Sequence, residues 1–298
     1  GGKTYYSQIR IDPFTTAGAL EMLNILVGAD SGLDPLKQLL IEKTGGNPFF
    51  LEESVRALVE SSGLDGKPGA YRVTKPLMDL RVPATVESLL ASRIDRLGRV
   101  DKRLLQAAAV IGHRVPLAVL QAVGTLSPDE LRQALDRLQA AELMYETSLF
   151  PDLEYMFRHA LIHDVAYQSL SLERRRLLHT AALVAGERLF SDQTLEKSEW
   201  LAFHAVQGQQ WNRAVRYLRS AAGRAVKRAA SRIAVQHLEN ALMAAGHLSG
   251  EGHAALEVDL RIDLRHALTP LGQVQRSLEN LGSAETVAAR IGDRPRLG

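Results

Sequence analysis

Apolar residues recur at helical spacing along most of the chain. Residues three, four and seven apart share one face of an α-helix, so each such stripe predicts a helix that buries that face. The first stripes are Leu20, Leu23 and Val27; Leu36, Leu39 and Leu40; and Leu51, Val55, Leu58 and Val59. Glycines and prolines mark the ends of these segments, which together predict a three-helix unit over residues 14–63.

A second series of stripes follows Pro83. The apolar sets are Val86, Leu89, Leu90, Ile94 and Leu97; Leu104, Leu105, Ala108 and Ile111; and Leu131, Leu135 and Leu138. Asp101 is the expected cap of the second of these helices, and a shorter helix is expected from Pro116 to Val123. Ser127-Pro128-Asp129-Glu130 has the form of a capping box, which fixes where the third striped helix begins.

Short segments of alternating or β-rich character predict strands. One runs from Tyr5 to Ile11, and a hairpin or linker is expected over residues 64–83. Two further β segments, 143–145 and 155–157, flank a turn at Pro151 and precede a helix from His159. Helices, a two-stranded wing and one more helix are the order of a winged-helix domain.

Beyond residue 170 the pattern is entirely helical, with alanine at regular positions. Bulky residues and alanines alternate at repeat spacing in Trp211, Ala214, Tyr217, Leu218 and Ala221, and again in Ala234, Leu238 and Ala241. This spacing is typical of the helix pairs of tetratricopeptide (TPR) repeats. Two more stripes follow, Leu256, Leu260, Leu264 and Leu268, then Val274, Leu278, Leu281, Ala284, Val287, Ala288 and Ile291.

The predicted fold class is therefore mainly α. It comprises a terminal strand (1–13), a helical lid (14–63), a hairpin or linker (64–83), a winged-helix domain with a small β-hairpin (84–170) and a TPR-like α-solenoid (171–298). The absence of a leading Met and of a polar cap before Gly298 predicts that the chain is a piece of a longer one, with further repeats.

Composition narrows the class of protein. The 298 residues include no cysteine, which excludes a disulfide framework, a zinc ribbon and a cysteine protease. The 36 Lys and Arg residues nearly balance the 34 Asp and Glu residues, so no global basic field marks a nucleic-acid binder. No apolar run approaches the roughly 18 residues of a membrane span. We expect a soluble, cytoplasmic protein.

The opening Gly1-Gly2-Lys3-Thr4 imitates the end of a phosphate-binding P-loop. A P-loop also needs a preceding strand and a following helix, whereas a strand pattern follows here. We therefore interpret it as unrelated to phosphate binding.

Four segments in order resemble a known family. They are Gly46-Asn47-Pro48-Phe49-Phe50-Leu51-Glu52-Glu53; Val82-Pro83-Ala84-Thr85 through Arg93-Ile94-Asp95-Arg96-Leu97; Leu105 through Gly112; and Phe157-Arg158-His159-Ala160-Leu161 through Tyr167. They are similar to the region that follows the P-loop core in bacterial STAND-type regulatory ATPases of the AAA superfamily with TPR tails. Within that group the chain most resembles proteins with an N-terminal class III adenylate/guanylate cyclase domain.

The resemblance implies nucleotide contacts at particular positions. Gly46-Asn47-Pro48 matches the family's Gly-x-Pro motif, whose proline packs on adenine. His159 matches the histidine that reaches the β-phosphate of ADP, although Arg158 and Ala160 differ from the family's Met-His-Asp motif. Arg93 and Arg96 are candidate nucleotide sensors. The implied cofactor is ATP or ADP, with Mg²⁺ in an upstream P-loop core and none held by this chain alone.

The implied partners are that P-loop core in the same chain and a protein or signal bound by the helical repeats, with a nucleotide-dependent oligomer as a further option. No membrane contact is expected, and no catalysis is assigned to this chain itself; the parent is a candidate ATPase and cyclase. Two alternatives stay open: an interaction scaffold without nucleotide function, and part of an ATP-dependent transcription activator.

Other constellations favour structural roles. His159 and His163 have i, i+4 spacing but no third ligand, so no metal site is predicted. Glu52 and Glu53 point in different directions from one helix and suit its N-terminal half. Arg174, Arg175 and Arg176 are expected on a solvated face. The helix from Pro128 and the wing both carry carboxylates, which disfavours binding to DNA phosphates.

Overall fold

The computed structural model describes residues 12–80, 83–148, 153–250 and 252–292, apart from the side chains of Asp79 and Ser148. These residues form fourteen α-helices and two small antiparallel sheets. The mainly helical fold class predicted from the sequence, with a small β-hairpin sheet and a solenoid-like part, is confirmed. The predicted strand from Tyr5 to Ile11 and the turn at Pro151 lie outside the described residues. The described chain forms two compact units, one ending at Lys102 and the other beginning at Arg103.

The first unit contains four helices and a hairpin. The helices are α1 (Thr16–Val27), α2 (Asp34–Thr44), α3 (Pro48–Glu60) and α4 (Val86–Arg96), and α5 (Arg99–Ile111) starts at its end. Strands β1 (Leu64–Lys67) and β2 (Ala70–Val73) form the hairpin expected over residues 64–83, and Leu64 is opposite Val73. Local capping explains where the helices start: the Thr15 hydroxyl accepts from the Gly18 amide, and Thr85 and Ser88 form a capping box.

Leucines from α1, α2 and α3 form the core of this unit. Its fully buried members include Leu23, Leu36, Leu40 and Leu51, and Leu64 of the hairpin joins them. Each such side chain stabilises the fold by about 2 kcal/mol relative to exposure. One predicted core position is wrong: Leu20 is 41% exposed, because its neighbour Ala19 takes the inward position on α1.

The second unit begins with a mixed helix and strand segment. After α5 come β3 (Arg114–Pro116), α6 (Leu117–Gly124), α7 (Pro128–Ala140), β4 (Met144–Ser148), β5 (Glu154–Phe157) and α8 (Ala160–Gln168). The strands form one antiparallel sheet in the order β3, β5, β4. The two predicted wing strands are β4 and β5, and β3 is an additional strand that pairs with β5.

Three details of this segment differ from the sequence predictions. Pro116 ends strand β3 opposite Glu154, so the short helix begins one residue later than expected. Strand β3 was missed because three residues are too few to show alternation. Asp101 lies within the first turn of α5, which starts at Arg99, and is not the residue before the helix. The structure also groups α4 with the first unit, whereas the sequence divided the chain before residue 84.

Six helices complete the second unit. They are α9 (Leu172–Leu189), α10 (Ser198–Gln207), α11 (Trp211–Lys227), α12 (Ser231–Ala245), α13 (His253–Leu268) and α14 (Val274–Ile291). Successive helices pack against each other, and the predicted alanines at the contacts, such as Ala214 and Ala241, are completely buried. Small side chains let helix axes approach closely, which produces a continuous core from Leu183 to Leu268.

The last predicted stripe is only partly correct. Ala284 and Ala288 of α14 are buried against Val258 of α13, whereas Val274 and Leu278 are 66% and 59% exposed. The small residues determine which face of α14 contacts α13, and these two larger residues lie outside that contact. No helix of the described residues is both long and apolar enough to cross a membrane.

Candidate functional site

The start of α3 is held by a tight backbone arrangement at Gly45 and Gly46. Helix α2 ends at Gly45, which has a left-handed conformation with φ of 60°. Gly46 follows with φ of 75°, and a Cβ atom there would overlap the carbonyl oxygen of Phe14. The Phe14 amide donates to the Gly46 carbonyl at 2.9 Å. Only glycine satisfies both the dihedral angle and the close approach at position 46.

Asn47 and Pro48 then begin the helix. The Asn47 side chain caps α3 by accepting from the Phe50 amide at 3.1 Å, and Pro48 occupies a first-turn position, where its missing N–H costs nothing. Asn47 is exposed and the Pro48 ring is half-buried. A flat apolar ring is therefore partly accessible beside a helix N-terminus, where the macrodipole favours negative charge.

Further along α3, Glu53 forms a buried ion pair with Arg93 of α4. Both side chains are at most 4% exposed, and the Arg93 guanidinium also reaches Glu60 at 3.1 Å. Arg56 lies 3.9 Å from Glu53 and 3.3 Å from Glu52. The predicted sensor Arg93 is therefore engaged by two carboxylates of its own unit. Arg96 is half-exposed, and its distance of 3.9 Å from Glu60 is longer than that of Arg93.

His159 lies in the second unit and caps α8. Its Nδ1 accepts from the Leu161 amide at 3.2 Å, so the imidazole acts here as a helix N-cap. The predicted site residues thus fall into two groups: Gly46, Asn47, Pro48 and Arg93 lie in the unit that ends at Lys102, and His159 lies in the other.

The other residues weighed from the sequence have structural contacts. His163 Nδ1 is 2.9 Å from Asp164, and its ring stacks on that of His113. Arg175 donates to the carbonyls of Tyr167 and Gln168, both at 3.1 Å. Among the described residues, no group of three or more acidic or histidine side chains is arranged to hold a metal ion.

Sequence reasoning missed a buried cluster of rings in the second unit. Nδ1 of His179 and Nδ1 of His204 are 3.0 Å apart, and Tyr167 Oη is 3.0 Å from His179 Nε2. Burial lowers the pKa of His179 to about 4, helped by the charge of Arg175. Burial and the neighbouring His179 lower the pKa of His204 to about 3. Both imidazoles are therefore neutral at pH 7. One sequence feature could have indicated this cluster: Trp200 and His204 are four residues apart in α10 and so share a helix face. The spacing of apolar residues does not detect it, because histidine is polar.

Comparison with known proteins adds no family assignment. No model of a protein family matches the chain, and no protein of curated function matches it.

Proposed function

We propose that this chain is the regulatory segment of a signal-transduction ATPase of the STAND type, within the AAA superfamily. In this proposal a P-loop core in the same longer chain binds ATP or ADP with Mg²⁺, and the helical repeats bind a protein or a signal. The observation that carries the proposal is the start of α3, where the Gly46-Asn47-Pro48 motif combines strict backbone geometry with an accessible proline ring.

The chemistry of this helix start suits an adenine nucleotide. A half-buried proline ring offers an apolar face without an amide, and it lies beside the exposed Asn47. The positive end of the α3 macrodipole is favourable for a nearby phosphate. Each feature also serves the helix itself, so the proposal depends on a ligand measurement.

The contacts of α3 supply a route for coupling. A nucleotide that moved the start of α3 would move the whole rigid helix, and with it Glu53, whose partner is Arg93 of α4. Breaking that buried pair is costly, so α3 and α4 would move together. Nucleotide state would in this way change the position of α4, which is the first helix of the predicted winged-helix domain.

In this proposal, the activity that the nucleotide state controls belongs to the longer parent protein. By resemblance we propose a cytoplasmic protein with a nucleotide cyclase domain, and an ATP-dependent transcription activator is the alternative parent. Neither assigns catalysis to residues of this chain.

The test uses the full-length natural protein that contains this chain. We expect it to bind ADP in a calorimetric titration, and we expect Pro48→Ala to weaken ADP binding about tenfold, the loss of about 1.4 kcal/mol of ring contact. Pro128→Ala is the matched control, because Pro128 occupies the equivalent first-turn position in α7. A full-length protein that binds neither ATP nor ADP, or an unchanged affinity in Pro48→Ala, would contradict the proposal.

A second function, an interaction scaffold without nucleotide control, is favoured by a different observation. Arg93 and His159, two of the predicted nucleotide contacts, are already engaged by groups within their own units. The scaffold predicts that partner capture by α9–α14 in the full-length protein is identical with ATP, with ADP and without nucleotide. A clear nucleotide dependence of partner affinity would exclude it.

A further inference from the structure

A cleft in the first unit has the composition of a small-ligand site. It has a volume of about 250 Å³ and lies among the end of α3, the segment that follows the hairpin, and α4. Its walls are mainly apolar and its polar groups are two hydroxyls and two cations. The lining residues are Ala57, Leu58, Ser61, Gly63, Lys75, Leu80, Pro83, Leu89, Ser92 and Arg96. Ligand sites are typically apolar clefts with a few polar groups that fix orientation.

The two cations of this cleft are only weakly neutralised. Lys75 Nζ donates to the Ser61 carbonyl at 3.2 Å, and no carboxylate of the described residues pairs with it. Arg96 is half-exposed and 3.9 Å from Glu60, which lies closer to Arg93, at 3.1 Å. Among the side chains that the structure describes, the carboxylates near the cleft therefore do not balance its positive charge.

The hydroxyls complete the polar side of the cleft. Ser92 Oγ accepts from Arg96 Nη2 at 3.2 Å, which leaves its proton available for another acceptor. The Ser61 hydroxyl donates its proton to the Leu58 carbonyl at 3.2 Å, so its oxygen can act only as an acceptor toward a further group. Lys75 uses one of its three N–H groups on the Ser61 carbonyl, which is a C-cap contact, and two remain.

We propose that this cleft binds a small organic oxyanion: a carboxylate or a phosphate monoester on a compact apolar body of about one ring. Lys75 and Arg96 bind the anionic group, Ser92 donates to it, and Leu58, Leu80 and Leu89 contact the apolar body. A dry cavity of about 150 Å³ accommodates one benzene ring, so the volume here suits one ring with an acidic substituent. The nearest cleft residue on α3, Ala57, is about 14 Å along the helix from Pro48, so the cleft is separate from the proposed contacts at Gly46-Asn47-Pro48, although it shares the candidate sensor Arg96.

Single-ring probes test the proposal on the 298-residue chain. Benzoate and phenyl phosphate represent the two anion classes, and benzyl alcohol and benzylamine are the neutral and cationic counterparts. Binding is measured by calorimetry and by the shift in thermal unfolding. We expect at least one of the two aromatic anions to bind more tightly than its counterparts, and more tightly than inorganic phosphate, which lacks the apolar body.

Variants locate the binding. Lys75→Met and Arg96→Met each remove one charge-assisted contact, and we expect each to weaken binding of the anion about tenfold or more. Lys67→Met is the matched control, since Lys67 is an exposed lysine at the end of β1 and lies outside the cleft. Both test positions are exposed, so these variants are expected to fold.

The proposal is overturned by any of three results. The first is that neither aromatic anion binds the unmodified chain. The second is equal binding of inorganic phosphate or benzyl alcohol, which would show that the anion and the apolar body are not both required. The third is unchanged affinity in Lys75→Met and Arg96→Met. None of these results bears on ADP binding by the full-length protein, so the two proposals fail separately.

Discussion

The Nδ1 atoms of His179 and His204 face each other at 3.0 Å inside the second unit, and both side chains are at most 1% exposed. Two neutral imidazoles can share this hydrogen bond only if one donates and the other accepts. If His179 donates from Nδ1, its Nε2 accepts from the Tyr167 hydroxyl; if it accepts at Nδ1, its Nε2 donates to Tyr167 Oη. The direction of the hydrogen bond between the two imidazoles therefore sets the direction of the hydrogen bond to Tyr167.

This pair predicts a specific loss of stability in acid. Both pKa values are lowered in the folded protein, to about 4 and about 3, from an ordinary value of 6.5. The unfolded chain therefore binds more protons between pH 6.5 and those values, so the contribution of each histidine is complete above pH 6.5 and falls as the pH falls. The slope approaches about 1.4 kcal/mol per pH unit for each group. Chemical denaturation measured from pH 7.5 to 4.5 checks it.

A variant separates this pair from the rest of the chain. We expect His204→Gln to reduce the slope of unfolding free energy against pH. Equal slopes in the unmodified protein and in His204→Gln would show that the buried pair does not titrate as inferred.

The ion pair between Arg93 and Glu53 predicts a large effect on stability. Arg93→Met leaves Glu53 buried without this partner, and we expect a loss of about 3–5 kcal/mol in unfolding free energy. Arg96→Met is the control on the same helix and should cost less than about 1 kcal/mol, because Arg96 is half-exposed. Adding Glu53→Gln to Arg93→Met should restore part of the loss, because it removes the buried charge that has lost its closest partner. Similar costs for Arg93→Met and Arg96→Met in urea denaturation would refute this assignment.

Two adjacent glycines allow a matched test of the start of α3. Both have positive φ, but a Cβ at Gly45 meets no atom within 4 Å, whereas a Cβ at Gly46 would overlap the Phe14 carbonyl. Gly45→Ala should cost about 1 kcal/mol, the penalty of the left-handed conformation alone. Gly46→Ala should cost clearly more, about 2–3 kcal/mol, because the backbone near Phe14 must also move. Equal costs by thermal denaturation would mean that the Phe14 contact does not constrain Gly46.

The sequence predicted the helices well where apolar spacing and capping agreed. Asn47-Pro48 and Ser127-Pro128 each mark a helix start that the structure has at the expected residue, because capping depends on local hydrogen bonds within a few residues. The residues adjacent in sequence were therefore sufficient to predict where these two helices begin.

What the sequence could not predict depends on contacts between distant residues. Arg93 looked like a candidate sensor because an arginine on a helix has no visible partner in sequence, and its partner Glu53 lies 40 positions away. His179 and His204 are 25 positions apart, and their low pKa values arise from burial rather than from any motif. Strand β3 needs its partner β5 to be recognised. The sequence alone therefore could not predict which buried charged and polar side chains contact each other.

Helix α9 contains a glycine whose replacement should destabilise the protein although alanine is the better helix former. Gly186 is buried against the indole of Trp200, and a Cβ there would overlap the Trp200 ring and lie 3.1 Å from Leu201 Cδ2. In an open helix, glycine to alanine gains roughly 0.5–1 kcal/mol. Gly223 in α11 provides that case, since a Cβ there meets nothing within 4 Å. We expect Gly223→Ala to raise the unfolding free energy by about that amount, and Gly186→Ala to lower it by about 1–3 kcal/mol through overpacking.

The Trp200 ring also lies 4.0 Å from the ring of His204, so Gly186→Ala should change the tryptophan fluorescence of the folded protein while Gly223→Ala does not. Stabilisation by both substitutions would show that α9 and α10 can separate at no cost, and that the close contact at Gly186 is not needed for the packing of these two helices.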